Sequence, residues 1–232
     1  MKVPKLMYDI KMSTTLPSTA DIYIYSEITS DSENWWGETI PSETSANTFR
    51  QKLEELGNVK NINLYINSNG GSCKEGNAIY SMLKRHSAYI TAYIDGFACS
   101  EASVIPMACD KIIMQDNAVM MIHNPWMWVC GNSKELREQA NVLDTLSCAF
   151  RQAYLNRFKG TEEELCTMLD NETWLTAQQC VEYGLADEIS GFIPPNPPKP
   201  KEDTEPTQKE FFKFNQVDNA VNLLKNLMKN QF

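Results

Sequence analysis

Only two histidines, His86 and His123, occur in the 232 residues of this chain, and the second stands in Met121-Ile122-His123-Asn124-Pro125, shortly after the small-residue stretch Gly96-Phe97-Ala98-Cys99-Ser100-Glu101-Ala102-Ser103. A serine hydroxyl is a weak nucleophile at neutral pH and needs a base whose pKa lies near the working pH, which imidazole supplies. If Ser100 attacks a carbonyl, the choice of base is therefore narrow. Pro125 restricts Asn124 to extended conformations and helps hold the histidine before it. His86 sits in Leu83-Lys84-Arg85-His86-Ser87, a polar connection where a surface residue is expected, so the base is read as His123.

Ser100 follows a strand-like run at 89–94 and precedes a small-residue helix around 102–109. That places its hydroxyl at a strand-to-helix turn, where first-turn amides and the helix dipole favour developing negative charge. Small-residue turns before helices are also common packing devices, so this motif alone is weak. Ser103, one turn on, is expected to face a neighbouring helix or cap the turn. Cys99 reads as a small buried packing residue rather than a thiol nucleophile. A second element, Ile66-Asn67-Ser68-Asn69-Gly70-Gly71-Ser72, ends a strand on paired glycines. Without a Cβ, such glycines let backbone N–H groups approach a substrate carbonyl, as an oxyanion hole requires, although the same pair also suits a tight strand-to-helix turn. Neither Gly-x-Gly-x-x-Gly nor a phosphate-loop lysine pattern is present. An acid is needed to orient the imidazole, and Asp170-Asn171-Glu172 offers two, between which the residues alone do not choose.

These groups must be positioned by a larger frame. Apolar and polar residues alternate at 21–28 and 62–66, an amphipathic helix fits 43–56, a second helix fits 76–84, and the strand at 89–94 follows. Strand, helix and strand in this order, with glycine turns at the strand ends, predict a parallel sheet with right-handed crossovers. Further strands are expected at 111–114 and 118–122. From 133 to 158 one helical pattern runs for about seven turns, with Leu136, Ala140, Leu143, Leu146, Phe150, Tyr154 and Phe158 on one stripe, too long to stay within a compact core. Helices at 161–169 and 176–183 each open on a threonine, and Thr161-Glu162-Glu163-Glu164 carries a capping-box signature. The globular part is expected to end near Gly191, where a proline-rich spacer at 194–200 begins a charged tail with an amphipathic segment at 217–228. No internal repeat is found.

Composition narrows the class. With 21 Lys+Arg against 30 Asp+Glu the net charge is −9, which argues against broad nucleic-acid or anionic-membrane binding. The seven cysteines (Cys73, Cys99, Cys109, Cys130, Cys148, Cys166 and Cys180) are scattered, without Cys-x-x-Cys or zinc spacing, and read as reduced thiols of a cytoplasmic protein. No signal-peptide core and no run of about 20 apolar residues occurs, so neither secretion nor membrane insertion is expected.

Taken together, Ile66-Asn67-Ser68-Asn69-Gly70-Gly71, Gly96-Phe97-Ala98-Cys99-Ser100, Met121-Ile122-His123-Asn124-Pro125, and Thr173-Trp174-Leu175-Thr176-Ala177 with Glu182-Tyr183-Gly184-Leu185-Ala186-Asp187 resemble, in the same order, the Clp protease proteolytic subunit (ClpP) family. The resemblance spans roughly residues 21–189, and Ala98-Cys99-Ser100-Glu101-Ala102-Ser103-Val104-Ile105 and His123-Asn124-Pro125-Trp126 look most like its phage and prophage branch, associated with head maturation. It implies a crotonase-like α/β fold with parallel sheets, crossover helices and a long projecting oligomerisation helix. It also implies a serine endopeptidase with Ser100 as nucleophile, His123 as base, and the backbone N–H groups of Gly70 or Gly71 and of Glu101 as oxyanion hole. Matching Trp174-Leu175-Thr176-Ala177 to the family's aromatic-Leu-Ser-Ala stretch places the acid on Glu172, where cellular members usually carry aspartate, with Asp170 as the alternative. Asn69 replaces the usual proline before the glycines, and Glu101 replaces a methionine. The implied organisation is an extension at 1–20, a peptidase domain at 21–190 and a tail at 191–232. The implied partners are polypeptide substrate, further copies of the chain in stacked rings, and phage capsid or scaffold proteins, with no metal or organic cofactor. Residues 1–20 offer no match to the axial segments that engage an unfoldase ring, which speaks against an ATPase partner. Competing readings are a catalytically silent assembly scaffold, disfavoured by retention of Ser100 and His123; a crotonase-type acyl-CoA enzyme, which needs no Ser-His pair; and a serine-lysine peptidase using Lys111, which leaves His123 without a role.

Overall fold

The computed structural model describes residues 9–12 and 18–191. The proline-rich spacer and the amphipathic segment at 217–228 lie outside the described residues. In chain order the elements are β1 (Asp9–Met12), β2 (Thr19–Ile24), a small hairpin of β3 (Ser32–Glu33) and β4 (Thr39–Ile40), α1 (Ala46–Glu55), β5 (Asn61–Ser68), α2 (Cys73–Arg85) and β6 (Tyr89–Cys99). They continue with α3 (Glu101–Val104) running into a 3-10 turn (Ile105–Ala108), β7 (Lys111–Gln115), β8 (Val119–Ile122), α4 (Ser133–Leu155), α5 (Glu162–Asp170), β9 (Thr173–Thr176), α6 (Ala177–Tyr183) and β10 (Glu188–Ser190). The anticipated α/β fold with a mostly parallel sheet and crossover helices is what the chain adopts. β2, β5, β6, β7 and β10 pair in parallel in that order, and β1 adds antiparallel to β2.

The central strands alternate strictly. Ile22, Ile24, Ile62, Leu64, Ile66, Ile90, Ala92 and Ile94 turn to one face and are buried. At roughly 25 cal/mol per Å² of apolar surface, this face is the main source of the sheet's stability. On the other face the register Tyr23↔Tyr65↔Tyr93 aligns three rings that stack at 4.7 and 5.1 Å. α1 is capped twice: the Ser45 hydroxyl accepts the Thr48 N–H, and the buried Glu75 carboxylate of α2 accepts the Ala46 N–H at 2.8 Å.

Three sequence expectations change. The small-residue stretch at 95–99 is not a turn. β6 runs on through Cys99, and its pairing with β5 shifts register between Ile66↔Ile94 and Ser68↔Ala98. Gly96 permits this, because a Cβ there would meet the Asn67 side chain, whose Oδ1 accepts the Phe97 N–H at 3.1 Å and bridges the irregularity. Second, the stretch between the helices expected at 161–169 and 176–183 contains β9, which pairs antiparallel with β8, with Ile122 opposite Thr173 and Met121 opposite Trp174. Third, the long helix stops at Leu155. Phe158 lies beyond it and stacks on Tyr183 at 5.4 Å, and only Phe150, Ala153 and Tyr154 of α4 are buried. The capping signature at Thr161 forms by half, its hydroxyl accepting the Glu164 N–H, whereas full reciprocal boxes form at Asn132/Glu135 and Thr176/Gln179.

Candidate active site

β6 ends where the chain must turn sharply into α3, and Ser100 makes that turn with φ 54° and ψ −128°, a conformation L-residues seldom adopt. Strain of this kind persists only where surrounding bonds over-determine it. Here the Ser100 N–H donates to Met121 O of β8 at 2.9 Å. The Ser100 carbonyl accepts both the Ser103 N–H at 2.9 Å and the Ser103 hydroxyl at 2.6 Å. Ser103 Oγ in turn lies 2.7 Å from the hydroxyl of Tyr154, so a fully buried pair ties the turn to α4.

His123 leaves the end of β8, the strand that pairs with β6 through Met121↔Cys99, and its Nε2 lies 2.7 Å from Ser100 Oγ. The β8–β9 register then matters. With Ile122 opposite Thr173, the next residues outward, His123 and Glu172, are brought side by side. Glu172 sits in the turn between α5 and β9 with φ 47°, and its Oε1 lies 3.5 Å from His123 Nδ1. The distance is an ion-pair contact longer than a good hydrogen bond, of the kind that tightens in catalytic sites once substrate is present. Asp170 goes elsewhere: its Oδ1 accepts the Asn124 side-chain N–H at 2.6 Å. It therefore holds the neighbour of His123 rather than the imidazole.

Burial pulls the His123 pKa below its ordinary value, and the Glu172 carboxylate pulls it back up. With its side chain only 10% exposed, the imidazole is neutral at pH 7. A carboxylate at Nδ1 selects the tautomer with the proton on that nitrogen, which leaves Nε2 as acceptor for the Ser100 hydroxyl.

The glycine pair packs directly against the Ser100 turn. A Cβ on Gly70 would sit 2.6 Å from Cys99 O, 2.7 Å from Ser100 Cβ and 2.9 Å from the Glu101 nitrogen, and the residue has φ 95°. Only glycine fits. The Gly70 N–H donates to Ser68 Oγ at 3.1 Å. The bridge to Ile28 uses the Gly70 carbonyl and the Ser72 N–H, so the Gly71 N–H takes part in neither bond. The Glu101 N–H is a first-turn amide of α3, beside Gly70.

The other candidates are placed away from this chemistry. Lys111 pairs in register with Thr91, near the far end of β6 from Ser100, and its Nζ lies 2.6 Å from Glu188 Oε2. His86 caps α2 and accepts the Ala88 N–H at Nδ1. Cys99 is buried, which pushes its thiol up to about 12 and keeps it protonated. Among the described residues no group of three or more His, Cys, Asp or Glu could hold a metal ion, and no helix is long and apolar enough to cross a membrane. Sequence reasoning left out β9 as a strand and the Asn124–Asp170 bond. The β-branched and aromatic residues in Thr173-Trp174-Leu175-Thr176 were the local signal for the former.

A cavity opens beside Ser100 and His123, lined further by Cys73, Glu101, Phe150 and Tyr154. The whole arrangement can deprotonate a hydroxyl at a strained turn and offer two backbone N–H groups to an adjacent oxyanion.

Comparison with known proteins identifies relatives of the chain. Residues 17–191 match the family model described as Clp protease. The ATP-dependent Clp protease proteolytic subunit 2 of Treponema denticola is 30% identical over 155 residues, covering 65% of this chain and 78% of its own length. The subunit of the same name from Tropheryma whipplei is 30% identical over 160 residues, covering 67% of this chain and 88% of its own. A Bacteroides fragilis ATP-dependent Clp protease proteolytic subunit is 29% identical over 171 residues, 72% of this chain and 82% of that protein. With the mostly parallel sheet, these matches bear out the crotonase-like α/β fold.

Proposed function

We propose that this chain, which belongs to the Clp protease family, is a serine endopeptidase that cleaves polypeptides through an acyl-enzyme on Ser100. The observation that carries the reading is the 2.7 Å contact between His123 Nε2 and Ser100 Oγ at a strained strand-to-helix turn. His123 takes the hydroxyl proton as Ser100 Oγ bonds to the scissile carbonyl carbon, and the carbonyl oxygen becomes an oxyanion facing the Gly71 and Glu101 N–H groups. Gly70 serves by giving that oxyanion room. The imidazolium then returns its proton to the leaving amine, the C–N bond breaks, and water attacks the ester by the same route in reverse. Glu172 orients the imidazole and stabilises its charge.

The peptidase occupies residues 21–190 in this reading, with an extension at 1–20 and a tail at 191–232. Self-association is part of the proposal: α4 leaves Leu136 and Val142 42% and 45% exposed along a projecting helix, a face that further copies of the chain would cover. The phage-like forms around Ser100 and His123 support processing of capsid or scaffold proteins inside a host cytoplasm as the setting.

A fluorophosphonate reagent tests the core of the reading. Wild-type protein should become labelled on Ser100, located by mass spectrometry, and both Ser100→Ala and His123→Ala should abolish labelling. A folded wild type that neither labels nor hydrolyses peptides would sink it in favour of a silent scaffold.

A further inference from the structure

Glu101 has one backbone group in the reading above and a side chain that none of it uses. The residue is 3% exposed and lines the cavity beside Ser100 and His123; its carboxyl is hydrogen-bonded to the Cys73 thiol, while its Oε1 has no hydrogen-bond partner. A buried carboxyl oxygen left unpartnered costs stability, and a donor brought into the cavity by a ligand would satisfy it. The fold makes specific room for it. Gly76 of α2 packs on the carboxyl so closely that a Cβ there would collide with Glu101 Cγ and Oε1. The apolar walls of the same cavity, Val104, Phe150 and Leu169, would suit an aliphatic side chain but leave Glu101 Oε1 unanswered.

In an acyl-enzyme on Ser100 the residue that supplies the acyl group attaches its Cα directly to the bonded carbonyl. Its side chain therefore lies close to Ser100, where the recess lined by Glu101 adjoins it. We propose that Glu101 is the specificity-determining residue of that recess, selecting a side chain on the acyl side of the cut that ends in N–H donors, glutamine amide or lysine ammonium. The inference rests on the serine peptidase reading.

Burial pushes the Glu101 carboxyl up to about 8. At pH 7 it is mainly the neutral acid, with one O–H donor and one acceptor, which a primary amide answers with two reciprocal hydrogen bonds. Above pH 8 it becomes a carboxylate and favours an ammonium. The other titratable or charged groups lining the cavity hold their state across that range. Cys73 is pushed up to about 11, Tyr154 is shifted further upward by burial, and His123 is shifted down and already neutral. Arg151 stays charged, with its guanidinium 3.1 Å from Glu162 and bonded to Cys166.

The test uses the full chain, with active sites counted by fluorophosphonate labelling. Fluorogenic peptides identical except for Gln, Lys, Leu or Glu at the acyl position are compared by kcat/KM at pH 7 and pH 9. Wild type should prefer Gln over Leu by at least about tenfold at pH 7, since Leu leaves the carboxyl unpaired. The Lys-to-Gln ratio should rise from pH 7 to pH 9. Glu101→Leu should erase or invert the Gln-to-Leu ratio, and Glu101→Gln should keep it while abolishing the pH-driven rise for Lys. Should a variant not fold, the two wild-type ratios decide. Labelled wild type that prefers Leu, or prefers Glu through Arg151, overturns the specificity while leaving the peptidase standing. Absence of both labelling and cleavage overturns the peptidase and the specificity with it.

Discussion

At the scale of single residues, the behaviour of the site follows from how His123 is held. Its protonated form cannot accept the Ser100 proton, so kcat/KM should rise with pH through the imidazole pKa. Burial lowers that pKa below the ordinary 6.5. The rising limb in a pH profile should therefore be centred below 6.5. Removing the Glu172 charge with Glu172→Gln takes away the one influence that raises it, and the limb should move further down. The same variant should lose activity by about 10²-fold, the low end of what a positioned acid–base partner contributes, because Glu172 is 63% exposed and stands 3.5 Å from Nδ1. Asp170→Ala should lose less, since Asp170 reaches the imidazole only through Asn124. A larger loss at Asp170 than at Glu172 in parallel steady-state assays would reverse the two assignments.

At the scale of elements, the site stands where three strand ends and two helix starts converge, and the polar bonds between them hold the strained turn. Ser103 and Tyr154 allow this to be measured. Tyr154→Phe removes one hydroxyl but leaves Ser103 donating to Ser100 O, at a cost of about 0.5–1.5 kcal/mol. Ser103→Ala strips the turn of that bond and leaves the Tyr154 hydroxyl buried without its partner, which should cost about 1–3 kcal/mol. Urea denaturation should rank them in that order. Gly70 carries a different constraint: a Cβ there meets Ser100 Cβ and the Cys99 carbonyl, so Gly70→Ala must displace the turn. Its fluorophosphonate labelling rate should fall by about 10²-fold, comparable with losing an oxyanion donor.

For the whole molecule, α4 is the unusual part. Its last turns are anchored by Phe150, Ala153 and Tyr154, and the rest stands away from the core with Leu136 and Val142 in solvent. Sedimentation velocity at micromolar concentration should show species larger than the monomer, and Leu136→Glu with Val142→Glu should shift them towards it. A wild type that sediments only as monomer would count against self-association. Much of this was legible in the sequence, because it is local or periodic. Strict alternation in 62–66 and 89–94 made the buried sheet face readable, and paired glycines and an isolated histidine before Asn-Pro made the site readable as candidates. The Ser100–His123 pairing was already narrowed by the scarcity of histidine. The match of Trp174-Leu175-Thr176-Ala177 pointed to Glu172 with Asp170 as the alternative, but residue order does not say which carboxylate comes up to the imidazole, since Asp170 ends α5 and Glu172 stands two residues on in the turn after it. The β8–β9 register decided it, by setting Glu172 across from His123 and turning Asp170 to Asn124. Likewise Gly70 and Gly71 look alike in sequence, and what separates them is tertiary: Gly70 packs on the Ser100 turn and donates to Ser68, whereas Gly71 packs on Ile28. Strand register and hydrogen-bond direction are relations between distant segments, and no local pattern encodes them.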